Sequence, residues 1–111
     1  MYDISKTSAD SIVALDDDTS IQQRLEALFP NRNIKVFAPE DEFLKSARAA
    51  ESSLVLVDYD YGGTRSGIDL ILAEGLTRNA VLLSGRLSFD HQIRSTAQEQ
   101  GVRLFPKECL G

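Results

Sequence analysis

The chain has 111 residues, of which 42% are hydrophobic and 26% are charged, a balance typical of one globular domain with a buried core. Its net charge of −5, without a basic stripe, argues against nucleic-acid binding. No apolar run reaches the roughly 18 residues that a membrane span needs, so we expect no membrane contact. The lone Cys109 cannot form an intramolecular disulfide, and we therefore expect a reducing, cytoplasmic setting.

The polar segment 1–10 is predicted to be a linker or tail. Residues 11–111 are predicted to form a single domain of alternating strands and helices. In chain order, the hydrophobic pattern predicts strands at 11–15, 34–37, 54–57, 80–83 and 102–105, separated by helices at 19–29, about 39–50, 67–76 and 89–100. Strands that are apolar throughout and alternate with helices predict an α/β fold, with a parallel sheet covered on both faces. Right-handed crossovers favour a doubly wound sheet of five strands.

Polar side chains follow four of the five predicted strands, directly after each apolar run. Asp16 and Asp17 follow the first strand, Asp58 the third, Ser84 the fourth and Lys107 the fifth. In open α/β sheets, ligands bind at the carboxyl ends of the strands. We therefore expect three carboxylates, one hydroxyl and one ammonium group to meet at one edge of the sheet.

This set of groups favours phosphoryl chemistry that depends on a metal ion. Three clustered carboxylates repel one another unless a cation neutralises them, and oxygen ligands suit Mg²⁺. A carboxylate nucleophile beside such an ion can form an aspartyl phosphate, mainly through positioning and charge neutralisation. In this scheme Lys107 pairs with one phosphoryl oxygen and Ser84 donates a hydrogen bond to another.

Four segments at these positions carry a resemblance to a known family. They read LDDD at 15–18, LVLVDYDYGG at 54–63, LLSG at 82–85 and FPK at 105–107. In this ordered set the chain resembles the receiver domains of two-component response regulators, over about residues 11–107. The resemblance implies a flavodoxin-like fold with strand order 2-1-3-4-5.

The resemblance also implies roles for the residues at the sheet edge. Asp58 would be the phosphoacceptor, and Mg²⁺ would be held by Asp17 directly, by Asp16 through water, by Asp58 and by the backbone carbonyl of Asp60. Ser84 would be the switch hydroxyl. A histidine kinase or a histidine phosphotransfer protein would supply the phosphoryl group, and the domain itself would contact neither nucleic acid nor membrane.

Near Lys107 the chain departs from the family pattern. The family usually has proline after the lysine, in a cis peptide bond, whereas Glu108 stands here and makes a cis bond unexpected. Leu104 occupies the position of the aromatic switch residue, with Phe105 beside it. Further upstream, Gly62-Gly63 replaces the usual Pro-Gly.

Two expectations concern the surroundings of the site. The sequence ends at Gly111, so we expect the fifth helix of the family to be missing or truncated, and the segment to be a piece of a larger chain such as a hybrid histidine kinase. A homodimer is a further expectation. Asp60 and Arg86 carry opposite charges two residues after Asp58 and Ser84, and their pairing would slow attack by water.

Two other functions fit parts of the sequence. A pseudo-receiver that docks partners without phosphorylation is compatible with the departures near Lys107. A haloacid-dehalogenase-like phosphatase matches Asp58-Tyr59-Asp60, Ser84 and Lys107 in order. That enzyme needs an acidic metal pair after the lysine, however, whereas the acidic pair of this chain precedes the other motifs.

Overall fold

The structure, a computed structural model, describes residues 4–49, 53–85 and 91–110. The five strands form one all-parallel sheet in the order β2-β1-β3-β4-β5, which confirms the predicted doubly wound, flavodoxin-like α/β fold. In chain order they are β1 (Ser11–Leu15), β2 (Asn33–Phe37), β3 (Leu54–Asp58), β4 (Ala80–Ser84) and β5 (Arg103–Pro106). Strands β3 and β4 are buried along their whole length, as their continuous apolar sequences predict for central parallel strands.

Four α-helices and two short 3₁₀ helices accompany the sheet in the described ranges. The α-helices are α1 (Ile21–Leu28), α2 (Glu40–Ala49), α3 (Gly67–Ala73) and α4 (His91–Gln100). One 3₁₀ helix, Ile4–Lys6, precedes β1, and the other, Lys107–Leu110, follows β5. No fifth α-helix is present in the described part of the chain. The predicted start of the fourth helix at Phe89 lies outside the described residues.

The two faces of the sheet are covered differently. One face packs against α2, α3 and α4 through side chains such as Phe43, Ile71 and Ala97. The other packs against α1, and the two 3₁₀ helices add Ile4 and Leu110 to the same cluster. Ile4 is 0% exposed. Residues 1–10 are predicted to form a linker or tail, whereas the side chain of Ile4 lies in the packed core.

The connection from β3 to α3 requires a glycine at Gly67, where the helix starts against the end of the strand. The Gly67 amide donates a hydrogen bond of 2.7 Å to the Tyr59 carbonyl. A Cβ atom at this position would lie only 2.3 Å from the Asp58 carbonyl oxygen. Ser66 caps the helix by accepting a hydrogen bond from the Asp69 amide. The backbone that follows Asp58 is therefore held closely against α3.

The register of the strands brings the predicted polar residues to one edge. Leu15 pairs with Val57, so Asp16 and Asp58 follow at the same level of neighbouring strands. On the other side Ser84 pairs with Pro106, which directly precedes Lys107. None of the helices in the described ranges is long and apolar enough to cross a membrane.

Candidate functional site

Three carboxylates from two adjacent strands meet at the carboxyl edge of the sheet. Asp16, Asp17 and Asp58 each place a carboxylate oxygen within 4.8 Å of the other two. Asp16 and Asp58 are only 3% and 6% exposed, whereas Asp17 is exposed to solvent. Such a set of oxygen donors, partly buried and open on one side, suits a hard divalent cation that keeps some of its waters. The predicted grouping of these acids is confirmed.

Lys107 provides the positive charge nearest to these acids among the described residues. Its Nζ lies 2.9 Å from Asp16 Oδ2, 3.6 Å from Asp58 Oδ2 and 3.7 Å from Asp18 Oδ2. It donates a hydrogen bond of 3.1 Å to Asp16 Oδ1, which also accepts one from the Asp18 amide. The contact with Asp16 Oδ2 is an ion pair without hydrogen-bond geometry. This buried oxygen therefore keeps capacity to accept another donor or a ligand water.

Burial and the neighbouring carboxylates raise the pKa of Asp58 to about 7. Burial is the largest cause, followed by the negative charge of Asp16, and Asp17 adds to it. Lys107 opposes the rise through its charge and a hydrogen bond but does not cancel it. The carboxylates are therefore short of positive charge, and an added cation would favour the ionised form of Asp58.

Lys107 remains an ammonium group in this environment. Burial alone would lower its pKa, but the hydrogen bond to Asp16 and the charges of Asp58, Asp16 and Asp18 outweigh burial and raise the pKa above its ordinary value. The side chain is 18% exposed, so its charge is only partly screened by solvent. A fixed positive charge beside Asp58 can stabilise an anionic group that arrives there.

Arg24, which the sequence analysis did not single out, holds the backbone of Lys107. This arginine lies on α1, and its Nη2 donates a hydrogen bond of 2.8 Å to the Lys107 carbonyl. Its Nη1 lies 3.8 Å from Asp18 Oδ2. The sequence carries no local signal for Arg24, because its role depends on how α1 packs beside the sheet edge.

No cis peptide bond occurs in the described ranges, in agreement with the prediction from Glu108.

Gly62 lies close to the exposed acid of the cluster. Its φ of +87° is in the left-handed region, which glycine adopts without strain. A Cβ atom on Gly62 would lie 2.9 Å from Asp17 Oδ2, so the loop after β3 passes directly over this carboxylate. Asp60 is exposed in the same loop, and the role of its carbonyl as a metal ligand stays a prediction. The predicted partner of its side chain, Arg86, lies outside the described residues.

The remaining predicted residues lie on β4 and β5. Ser84 is buried at the end of β4, one residue beyond the partner of Asp58 in the register. Leu104 packs against the core on the side of α2, α3 and α4, whereas Phe105 packs against the core on the side of α1. The ring of Phe105 therefore cannot replace an aromatic side chain at position 104, because the two residues face opposite sides of the sheet.

The larger of two cavities in the described part of the molecule is not the one that adjoins the acidic cluster. A cavity of about 270 Å³ borders Asp16, Asp17 and Asp18 on the α1 side of the site. A larger cavity of about 350 Å³ lies at the opposite, amino edge of the sheet, bordered by Asp10, Arg78 and Arg103 among others. The smaller cavity is the functional candidate, because Asp16 and Asp17 line it and a carboxylate oxygen of each lies within 4.8 Å of Asp58, whose pKa is raised to about 7.

Comparisons of the chain with protein-family models, with curated proteins and with solved structures find no match. The function of this chain is therefore inferred from the geometry and chemistry of the carboxyl edge. The fold alone is compatible with many activities, since doubly wound sheets host unrelated functions. What distinguishes this chain is the set of charged groups at that edge and the residues that hold them in place.

Proposed function

We propose that this chain is a receiver-type phosphoacceptor domain in which Asp58 takes a phosphoryl group from a phosphohistidine. The donor would be a histidine kinase or a histidine phosphotransfer protein. The observation that carries the proposal is the meeting of Asp16, Asp17 and Asp58 within 4.8 Å, with the Lys107 ammonium beside them. The order of motifs in the chain, which resembles that of receiver domains, supports the same conclusion.

The donor set fits Mg²⁺, which would supply charge neutralisation to the carboxylates and to the phosphoryl oxygens. Asp17 is exposed and suits direct ligation, together with Asp58 and the carbonyl of Asp60. Asp16 is buried and hydrogen-bonded to Lys107 and to the Asp18 amide, so it suits an indirect role through water. This division agrees with the one that the family resemblance implies.

Three residues of the chain would have different roles in the phosphoryl transfer. An Asp58 carboxylate oxygen attacks phosphorus, the phosphorus–nitrogen bond of the donor breaks, and its electron pair returns to the imidazole nitrogen. The Lys107 ammonium lies 3.6 Å from Asp58 Oδ2, where it would stabilise a phosphoryl oxygen. The Ser84 hydroxyl, at the end of the adjacent strand, would donate a hydrogen bond to another.

The proposal is tested by incubating the full chain with acetyl phosphate and Mg²⁺ and measuring its intact mass. We expect the wild-type chain to gain one phosphoryl group and Asp58→Asn to gain none. Asp10→Asn is the matched control, because Asp10 is an exposed acid at the opposite edge of the sheet, and it should be phosphorylated like the wild type. A wild-type chain that gains no mass would favour the pseudo-receiver, and a gain retained by Asp58→Asn would place the chemistry elsewhere.

A further inference from the structure

The loop between β3 and α3 is tied to the start of α2 by three side chains, which we call the loop clamp: Glu40, Tyr61 and Arg65. The Tyr61 hydroxyl donates a hydrogen bond of 2.8 Å to Glu40 Oε2. Arg65 pairs with Glu40 and also with Glu74, at 3.0 Å, near the end of α3. A single carboxylate on α2 therefore binds two residues of the loop that follows Asp58.

The clamp is well placed to remain formed. Tyr61 is only 3% exposed, and its ring belongs to the core on the side of α2, α3 and α4. The hydrogen bond from Tyr61, followed by the one from Arg65, lowers the pKa of Glu40, so this carboxyl is ionised at neutral pH. A hydrogen bond to an ionised carboxylate is stronger than one between neutral groups.

The loop clamp adjoins the backbone of Gly62, which lies over Asp17, both along the chain and in space. Gly62 follows Tyr61 directly, and its backbone lies so close that a Cβ atom would come 2.9 Å from Asp17 Oδ2. The Tyr61 ring also lies against Gly63, where a Cβ atom would come 2.3 Å from the ring. The position of the Tyr61 side chain therefore fixes the path of the loop over the carboxylate.

We propose that Glu40, Tyr61 and Arg65 are positioning residues that hold the loop 60–62 against Asp17 and so set the affinity of the site for a divalent cation. This inference rests on the proposed function, because it concerns the same metal site. None of the three side chains belongs to the predicted ligand set, and the sequence pattern at these positions gave no reason to group them. The clamp would act on metal binding through the loop backbone, as outer partners of metal ligands do.

The test measures the affinity of the full chain for Mg²⁺ alone by isothermal titration calorimetry. Tyr61→Phe removes the donor of the hydrogen bond, whereas Glu40→Gln removes the charge and one of the two acceptor oxygens that bind Tyr61 and Arg65; both change the shape little, and we expect each to weaken Mg²⁺ binding about 10-fold. Glu42→Gln is the matched control, since it removes the same charge from the same turn of α2 at an exposed position. It should bind Mg²⁺ within about twofold of the wild type.

The double variant separates positioning from general destabilisation. Because Glu40→Gln and Tyr61→Phe weaken the same hydrogen bond, the double variant should lose little more affinity than Glu40→Gln alone, which also weakens the pair with Arg65. Thermal unfolding is followed in parallel, and Glu40→Gln, at a half-buried surface position, keeps the test valid if Tyr61→Phe fails to fold. Losses of Mg²⁺ affinity that multiply in the double variant would overturn the shared role.

The outcomes distinguish this inference from the proposed function. A wild-type chain that binds no Mg²⁺ would overturn the metal site, and the clamp with it. A wild-type chain that binds Mg²⁺ while Glu40→Gln and Tyr61→Phe bind it equally well would overturn the clamp alone. An equal loss of affinity in Glu42→Gln would also overturn it, because the effect would then reflect only the charge of α2.

Discussion

The two edges of the sheet differ in what their polar side chains bind. At the amino edge, the side chains bind mainly backbone carbonyls: Asn79 donates to Ser53 at 3.0 Å, and Arg32 donates to Thr7 and Ala9 at 3.1 and 2.8 Å. At the carboxyl edge, three side-chain carboxylates lie within 4.8 Å of one another, and one ammonium group, that of Lys107, lies beside Asp16 and Asp58. The polar groups of the amino edge fix turns, whereas those of the carboxyl edge leave negative charge that a ligand can neutralise.

This difference shows why the larger cavity is not the better functional candidate. The cavity at the amino edge is about 350 Å³ and the one beside the acids about 270 Å³, so size alone would favour the amino edge. Among the described residues, it is at the carboxyl edge that a buried carboxyl, that of Asp58, has its pKa raised to about 7 and lies 3.6 Å from a lysine. Unbalanced charge in a partly buried place is the stronger indication of chemistry.

The largest effect at the carboxyl edge is expected from Lys107→Ala. Removal of the ammonium group should slow phosphorylation by acetyl phosphate about 100-fold, because one fixed charge beside the transferring group is lost. Mg²⁺ affinity should not fall, since the carboxylates lose a competing cation. Rates of mass gain and calorimetry measure the two effects, and Lys6→Ala, an exposed lysine before β1, is the control. A full rate in Lys107→Ala would contradict the role of the ammonium.

The next effect concerns stability and its dependence on pH. The pKa of Asp58 is raised from 3.8 to about 7, so the folded, metal-free protein holds a proton more tightly than the unfolded chain does. The stability from this proton is complete below about pH 4 and is lost as the pH rises through about 7. The lowered pKa values of Asp18 and Glu40 act only at more acidic pH.

We therefore expect the free energy of unfolding in EDTA to decrease from about pH 5 to about pH 8. Saturating Mg²⁺ should remove this decrease, because the cation replaces the proton at Asp58. Urea unfolding at several pH values, with and without Mg²⁺, measures both. A metal-free protein whose stability rises over this range would show that the acids of the carboxyl edge are not short of positive charge.

A smaller effect is expected from Arg24→Ala. Arg24 binds the Lys107 carbonyl at 2.8 Å and lies 3.8 Å from Asp18, which is outside the predicted ligand set, so we expect the phosphorylation rate to fall about 10-fold with Mg²⁺ affinity unchanged. Arg24→Lys should recover part of the rate. Gln23→Ala changes the neighbouring exposed residue of α1 and serves as the control. A loss of Mg²⁺ affinity in Arg24→Ala equal to the loss of rate would mean that Arg24 acts on the carboxylates instead.

The smallest effect is expected at the amino edge. Arg78 is exposed and borders the cavity of about 350 Å³. Arg78→Ala should change the phosphorylation rate and Mg²⁺ affinity by less than about twofold, and stability by less than about 0.5 kcal/mol. Rates of mass gain, calorimetry and urea unfolding measure these three quantities. A clear loss of phosphorylation in this variant would contradict the proposed difference between the two edges, because it would give the amino edge a part in the reaction.

Much of the fold follows from local sequence patterns. Each predicted strand and helix is present, with ends that differ by up to about three residues, because apolar runs and their polar ends mark the elements. The grouping of Asp16, Asp17 and Asp58 was also predictable, since the carboxyl ends of parallel strands share one edge. These predictions need only the pattern within each element and a general rule of topology.

Contacts that depend on how helices and loops are oriented were not predictable from the pattern. Arg24 reaches Lys107 across 83 positions of the chain, and Tyr61 reaches Glu40 across 21. Ile4 lies in a polar segment that reads as a tail, yet it fills the core beside α1. In each case the partner is determined by tertiary packing, which cannot be predicted from the spacing of residues along one element.

The proposed site requires that the three acids of the carboxyl edge share one divalent cation, with Asp16 bound to it through water. Anomalous diffraction from crystals of the wild-type chain soaked in Mn²⁺ tests it directly, because the signal locates the ion itself. We expect one strong peak in contact with the carboxylates of Asp17 and Asp58, and its loss in Asp17→Asn. A map without a peak at this edge, or with its only peak beside Asp10 at the amino edge, would contradict the claim.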